Sequence, residues 1–351
     1  MRVLVTGAAG FIGSAVCQEL GARGHRVVGL DAMIPQAHPR GTAAPEGVRR
    51  VDLRDTEELG ALLRDIDVVC HQAAMVGAGS SPADMPMYAA HNDLATARLL
   101  AAMASVGVDR LVLASSMVVY GEGRYRCPEH GDVDPVARTT ADLRAGRFDL
   151  PCPDCGTPLD WALVDEGARL RPRTSYAASK LAQEQFANAW AGQAPGRVVA
   201  LRYHNVYGPM MPRDTPYSGV AAIFRSALEG GEPPRVFEDG RQMRDFVHVS
   251  DVARANVLAV ERVASRPADG GGFEGLNVCS GAPISIAEVA GLLCAGLSGP
   301  APVVTGEFRS GDVRHVVASP ARTADVLGFV AEVPPDRGLR EFSTAPLRPA
   351  S

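Results

Sequence analysis

Tyr176 and Lys180 stand four positions apart in Thr174-Ser175-Tyr176-Ala177-Ala178-Ser179-Lys180. On a helix that spacing puts both side chains on one face. A tyrosine at its ordinary pKa of about 10 is a poor base at neutral pH, but a nearby ammonium lowers that value toward a usable phenolate. Ser116, in Ser115-Ser116-Met117-Val118-Val119-Tyr120-Gly121, follows the β-rich run Arg110–Ala114 and projects its hydroxyl over the end of a strand. A hydroxyl, a phenol and an ammonium in that chain order can pass a proton to and from a substrate hydroxyl. Tyr-x3-Lys also occurs by chance on helix surfaces, so the rest of the chain has to decide.

Thr6-Gly7-Ala8-Ala9-Gly10-Phe11-Ile12-Gly13 follows the run Val3–Val5 and opens a helical pattern. Gly7 permits a tight turn, Gly10 lets the backbone approach a pyrophosphate, and Gly13 lets helix and strand pack closely. The helix N-terminus at Phe11 and Ile12 offers N–H groups to that anion. Asp31 closes the second strand, where a carboxylate accepts from both ribose hydroxyls and repels a 2′-phosphate. No arginine immediately follows it, so NAD is favoured over NADP. The positive ring of a bound nicotinamide would also lower the Tyr176 pKa. Asp52-Leu53, after the third strand, is either an adenine cap or a helix cap and turn. His71-Gln72-Ala73-Ala74 ends the fourth strand with small residues, and Ala73 suits a backbone lying against a flat cofactor. His71 itself reads as a core histidine.

Cys127-Pro128-Glu129-His130-Gly131 and Cys152-Pro153-Asp154-Cys155-Gly156 are two copies of one pattern, Cys-Pro-x-(Cys/His)-Gly. Each resembles a zinc knuckle. Cys127, His130, Cys152 and Cys155 together supply the number and type of ligands for a closed, structural, tetrahedral zinc. Unliganded surface thiols, or a Cys152–Cys155 redox pair, are the alternatives. Cys17, Cys70, Cys279 and Cys294 sit in apolar runs and read as core.

The elements that must position these groups follow an alternation. Strands are predicted at Arg2–Val5, Arg26–Leu30, Val48–Val51, Asp67–His71, Arg110–Ala114 and Arg197–Arg202. Helices are predicted at Phe11–Arg23, Thr56–Arg64, Tyr88–Val106 and Ser175–Ala191. Apolar strands each followed by a helix imply an α/β fold, a doubly wound parallel sheet of Rossmann type with ligands at the strand ends. The expected division is a dinucleotide-binding domain over residues 1–203, carrying a zinc-binding insert over about 122–172. A smaller C-terminal substrate lobe over 204–342, with helices near Val220–Glu229 and Val252–Ala264, and a frayed tail over 343–351 complete it. Pro216 marks a loop, and Gly270–Gly272 a flexible connector.

At 351 residues and a net charge of −5 the chain has no basic footprint for nucleic acid, and an anionic ligand must be held by a few placed cations. No apolar run is long enough to span a membrane, and seven cysteines fit no secreted framework. A cytoplasmic location is therefore expected.

On the motifs TGAAGFIG at 6–13, Asp31, HQAA at 71–74, SSMVVYG at 115–121 and YAASK at 176–180, the chain resembles the NAD-dependent sugar epimerase/dehydratase family of extended short-chain dehydrogenases/reductases. RYHNVYGP at 202–209, RDFVHVSDVA at 244–253 and RSGDVRH at 309–315 extend the likeness to about Gly328. The resemblance implies Ser116, Tyr176 and Lys180 as the catalytic set, and Asn205, Arg244 and Arg309 as holders of a nucleotide-sugar diphosphate. It also implies a homodimer. Dehydratases of the family carry Asp and Glu after the hydroxyl residue, where this chain has Met117 and Val118. Decarboxylating and 3,5-epimerising relatives need an acid or a cysteine there, and neither is present. What remains is reversible oxidation at one carbon, hence inversion at C4 through a transient 4-keto sugar. A neutral sugar is expected, a UDP-hexose or a dTDP-6-deoxyhexose such as dTDP-L-rhamnose. Net C4 dehydrogenation or reduction, and a non-catalytic NAD-binding scaffold, are the rival readings.

Overall fold

The computed structural model describes residues 1–348 apart from 40, 56, 80, 214–218, 266–270 and 310. Its central sheet contains β1 (Arg2–Thr6), β2 (Arg26–Asp31), β3 (Val48–Arg50), β4 (Val68–His71), β5 (Arg110–Ser116), β6 (Arg197–Tyr203) and β7 (Gly272–Val278). The strands lie in the order β7-β6-β5-β4-β1-β2-β3, every pairing parallel. The order reverses between β1 and β4, which opens the crevice where such sheets bind ligands.

Apolar alternation within β1 explains the two layers. Val3 and Val5 pack on one face with α1 (Phe11–Ala22), and Leu4 packs on the other with Leu99 and Trp190. Those two belong to α2 (Ala95–Val106) and α3 (Ser175–Gln193). Each such side chain, fully buried, contributes about 1.5–3 kcal/mol. A smaller core joins α4 (Val220–Glu229) to the helix Ile286–Leu297 through Tyr207, Phe224, Phe246 and Leu293.

Three expectations need correcting. The division at residue 203 is crossed, because α5 (Val249–Ser265) packs on α1 and β7 adds to the sheet beside β6. β7 is weak as a strand signal because Gly272, Gly275 and Asn277 interrupt its apolar run, yet a Cβ at Gly275 would press on the Arg202 guanidinium at 3.0 Å. The segment after Ser343 is docked rather than frayed as far as it is described. Ser343 and Leu347 are buried, Met210 N–H donates to the Pro346 carbonyl at 2.7 Å, and Arg348 N–H donates to the Met211 carbonyl at 3.0 Å. Lastly, the predicted helix Tyr88–Val106 starts with a wider π turn over Ala89–Leu94. Thr56, Pro216, Gly270 and residues 349–351 lie outside the described residues.

The insert folds as a three-stranded antiparallel sheet, Arg124–Cys127 between Gly131–Val133 and Asp160–Ala162, with one short helix, Thr140–Arg144. Its own core is Tyr125, Cys127, Leu150, Cys152 and Leu159, two of which are thiols.

Candidate active site

A cavity of about 880 Å³ opens over the strand ends. Gly7, Gly10, Phe11, Ile12 and Gly13 line one end, and Ser116, Tyr176, Asn205 and Arg309 line the other. Gly7 sits at φ +66, and a Cβ there would lie 2.8 Å from the Ala73 nitrogen, so a bulkier residue could not form this turn. A Cβ on Gly13 would collide with the Gly7 carbonyl. No side chain caps α1 at Gly10, which leaves the N-terminal amides facing the cavity for an anion. The cradle therefore fits a dinucleotide pyrophosphate.

Asp31, Asp52, Leu53 and Ala73 line an adjoining recess of about 130 Å³. Asp31 accepts from Ala9 N–H at 3.0 Å and from Met33 N–H at 2.8 Å, with His38 3.4 Å away. Burial pushes its carboxyl up, but His38 and the two amides outweigh that and hold it below its ordinary value. It thus fixes the glycine turn while keeping a lone pair on each oxygen for a ribose. Asp52 grips Arg54, at 2.6 Å from Nη2 and 3.0 Å from Nε. The one arginine of this recess among the described residues is thereby neutralised, which disfavours a 2′-phosphate.

Burial pushes the Tyr176 phenol up, against the hydrogen bond from Ser116 that pulls it down. Lys180 does not donate to it: Nζ bonds the Ala114 carbonyl and Gln183 Oε1, each at 2.9 Å. Burial brings the Lys180 ammonium down to about 7. The expected lowering of the phenol by Lys180 alone is not realised, because both groups lose hydration together. His71 is, as read, a core histidine, held between Thr6 Oγ1 at 2.6 Å and Thr96 Oγ1 at 3.0 Å.

Several positioning residues were not evident in the sequence. Ser115 Oγ donates to Glu184 at 2.5 Å, and Glu184 takes both Nε and Nη2 of Arg202, locking α3 to the ends of β5 and β6 beneath Ser116. Asn92, fully buried in the π turn, bonds the Met75 backbone and Ser179, tying the loop over the cavity to the tyrosine helix. Gly79 lets that loop press against Tyr176, where a Cβ would strike the amide nitrogen at 2.5 Å.

Arg244 departs from expectation, and His204 enters the site without having been anticipated. Arg244 does not line the cavity. Its guanidinium is turned onto the carbonyls of Met243, Val313 and Arg314 at 2.7–2.9 Å, so it braces the segment after Arg309. His204 does line it, is 3% exposed, and has no partner at either ring nitrogen. Burial, then Arg244, brings it down to about 3, so it is a neutral imidazole offering one donor and one acceptor.

In the insert, the ligand atoms of Cys127, His130, Cys152 and Cys155 lie within 4.8 Å of one another. Cys127 Sγ stands 3.6 Å from Cys155 Sγ and 3.5 Å from His130 Nδ1, and Cys152 Sγ stands 3.6 Å from that nitrogen. Metal–ligand bonds of about 2.0–2.3 Å arranged as a tetrahedron give edges of about 3.5–3.8 Å. Gly131 and Gly156 both take positive φ with open space around them, so the turn itself, not crowding, calls for glycine.

A glycine cradle, a strand-end serine and a Tyr-x3-Lys helix over one crevice define a dinucleotide-dependent oxidoreductase-type site. The chain belongs to the NAD dependent epimerase/dehydratase family, whose signature matches residues 3–141 and 158–272. The match breaks at 142–157, the stretch that carries Cys152 and Cys155. A dTDP-L-rhamnose 4-epimerase of Burkholderia thailandensis is 34% identical over 98% of this chain and 94% of its own. The solved UDP-glucose 4-epimerase of Thermus thermophilus, in complex with NAD, is 30% identical with a TM-score of 0.76, covering 98% of each chain. MoeE5 in complex with UDP-glucuronic acid and NAD is 34% identical with a TM-score of 0.75, covering 98% of this chain and 99% of that one.

Proposed function

We propose that the protein is an NAD-dependent epimerase that inverts C4 of a nucleotide-activated sugar. The observation that carries this reading is one cavity holding both the glycine cradle and the Ser116–Tyr176 pair. Gly7, Gly10, Phe11, Ile12, Gly13 and Asp31 hold the cofactor. Bound NAD supplies a reversible hydride acceptor at the sugar carbon and a positive ring that lowers the phenol pKa. Tyr176 takes the C4 hydroxyl proton, Ser116 relays it through their hydrogen bond, and Lys180 anchors the cofactor side. Arg309 holds the sugar-nucleotide diphosphate and Asn205 the group beside it, while the hexose turns about that tether. Because Met117 and Val118 cannot move protons, the keto sugar is reduced again without dehydration.

The test is NMR of a panel of UDP- and dTDP-sugars incubated with the protein in ordinary and deuterated water, with no cofactor added. Inversion at C4 with no deuterium on C4 is expected. Turnover only after cofactor is added would instead favour the net dehydrogenase or reductase.

The substrate is a neutral sugar, a UDP-hexose or a dTDP-6-deoxyhexose. Neutral His204 supports this, since it lies in the cavity wall and adds no cation there to pair with a carboxylate. The insert holds a structural zinc through Cys127, His130, Cys152 and Cys155, and the protein works as a cytoplasmic homodimer.

A further inference from the structure

Among the described residues, the arginines lining the main cavity are Arg309 and Arg348. The proposed reaction brings two diphosphates into this space, that of the sugar nucleotide and that of NAD. Arg309 lies at the substrate end, stacked over Phe237 at 5.1 Å. Arg348 lies at the other end, where Nη1 donates to the Ala9 carbonyl at 2.9 Å. Ala9 belongs to the glycine turn itself, immediately before the uncapped N-terminus of α1.

That placement is built by the chain. Ser343 is fully buried, and Arg225 donates to the Ala345 carbonyl at 3.1 Å. Leu347 packs into the core around Phe224 and Phe246. Arg348 then pairs beside Pro212 as a one-residue bridge, and its N–H reaches the Met211 carbonyl at 3.0 Å. Backbone bonds on both sides of position 347 thus aim the arginine across the cavity instead of into solvent. Met211 and Pro212 line the same cavity, so the strap and its docking strip form one wall.

We propose that residues 343–348 form a strap whose Arg348 clamps the pyrophosphate of NAD against the glycine turn and keeps the cofactor from leaving between turnovers. The inference rests on the NAD-dependent reading and adds a residue outside the sheet to the cofactor site. The chemistry is general: a guanidinium beside backbone amides makes charge-assisted bonds to phosphate oxygens, and Ala9 holds one end of the fork in place. An epimerase must return the hydride to the molecule that gave it, so retention of the cofactor serves this reaction in a way it would not serve a dehydrogenase.

The experiment measures NAD in purified protein and its rate of exchange for labelled NAD, in the wild type, Arg348→Ala and Arg348→Lys, alongside UDP affinity. Arg348→Ala should lose NAD about ten-fold faster or more, with Arg348→Lys in between and UDP affinity unchanged. Wild-type exchange kinetics in Arg348→Ala overturn the strap. Parallel loss of UDP affinity also overturns it, by placing the arginine on the substrate. Failure of the wild type to bind NAD at all would strike the underlying reading instead, so the two failures are separable. Circular dichroism of each variant guards against misfolding, and Leu347→Ala, which undocks the strap without removing the cation, should speed NAD loss in the same direction.

Discussion

Tyr176→Phe should retain NAD and lose turnover by about 10²–10⁴-fold, the usual size of a lost general acid–base. The substitution removes one oxygen from a half-buried side chain on the cavity wall and leaves the ring contact with Tyr88, 5.8 Å between centroids, in place. Substrate affinity should change little, because Arg309, Asn205 and His204 still line the cavity. The pH dependence carries a second, independent signature. Burial raises the Tyr176 phenol, and a base that must lose its proton becomes more effective as pH rises. Wild-type kcat should therefore climb with pH toward the phenol's value in the loaded enzyme, whereas the residual rate of Tyr176→Phe should not follow that limb. A variant keeping a tenth or more of wild-type kcat, with the same pH limb, would remove Tyr176 from the chemistry and revive the scaffold reading.

The cofactor end of this site was legible in the sequence because its glycines do local work. Gly7 and Gly13 are required by contacts within a single strand–turn–helix unit, and such a requirement leaves its mark in eight consecutive residues. Ser116, Tyr176 and Lys180 were legible for the same reason, each fixed by the end of one strand or the face of one helix. What escaped notice depends on separations the eye cannot bridge. Glu184 and Arg202 form a buried pair whose meaning appears only when α3 lies on β6, and Asn92 matters only because a π turn aims it at Met75 and Ser179. β7 failed as a sequence signal because its glycine at 275 makes room for the Arg202 side chain rather than for its own packing. Arg244 carries the family's motif, yet its guanidinium is spent on three carbonyls. Conversely, Arg348 belongs to no motif and reaches the glycine turn. Motifs located the residues; only tertiary placement decides which of them face the cavity.

Removing the zinc proposed for the insert should weaken sugar-nucleotide binding while leaving NAD in place. The insert is too small to hold itself together: its apolar core is Tyr125, Leu150 and Leu159 around the buried thiols Cys127 and Cys152. Modules with so little buried surface owe their folding free energy to the metal. The strand that carries Cys127 also carries Tyr125, whose hydroxyl accepts from His315 N–H at 2.9 Å, and Gly123 N–H donates to the His315 carbonyl at 2.9 Å. Farther along, Arg138 donates to the Asp312 carbonyl at 2.7 Å, and Asp149 joins Glu238 and Asp239 around the fully buried Arg314. Every one of those contacts lands on residues 312–315, the segment that follows Arg309. If the proposed zinc holds the insert, its loss should free the insert and release that segment, and Arg309 should then lose the position proposed for it beside the diphosphate. Cys152→Ala should therefore purify without zinc, raise KM for the sugar nucleotide by about ten-fold or more, and keep its NAD, since the glycine cradle lies on the far side of the cavity. One equivalent of zinc per wild-type chain, released by a chelator with the same rise in KM and restored by added zinc, would establish the link. Cys152→Ala with wild-type KM would leave the insert as a separate appendage, and wild-type protein free of metal would return Cys152 and Cys155 to the redox-pair reading.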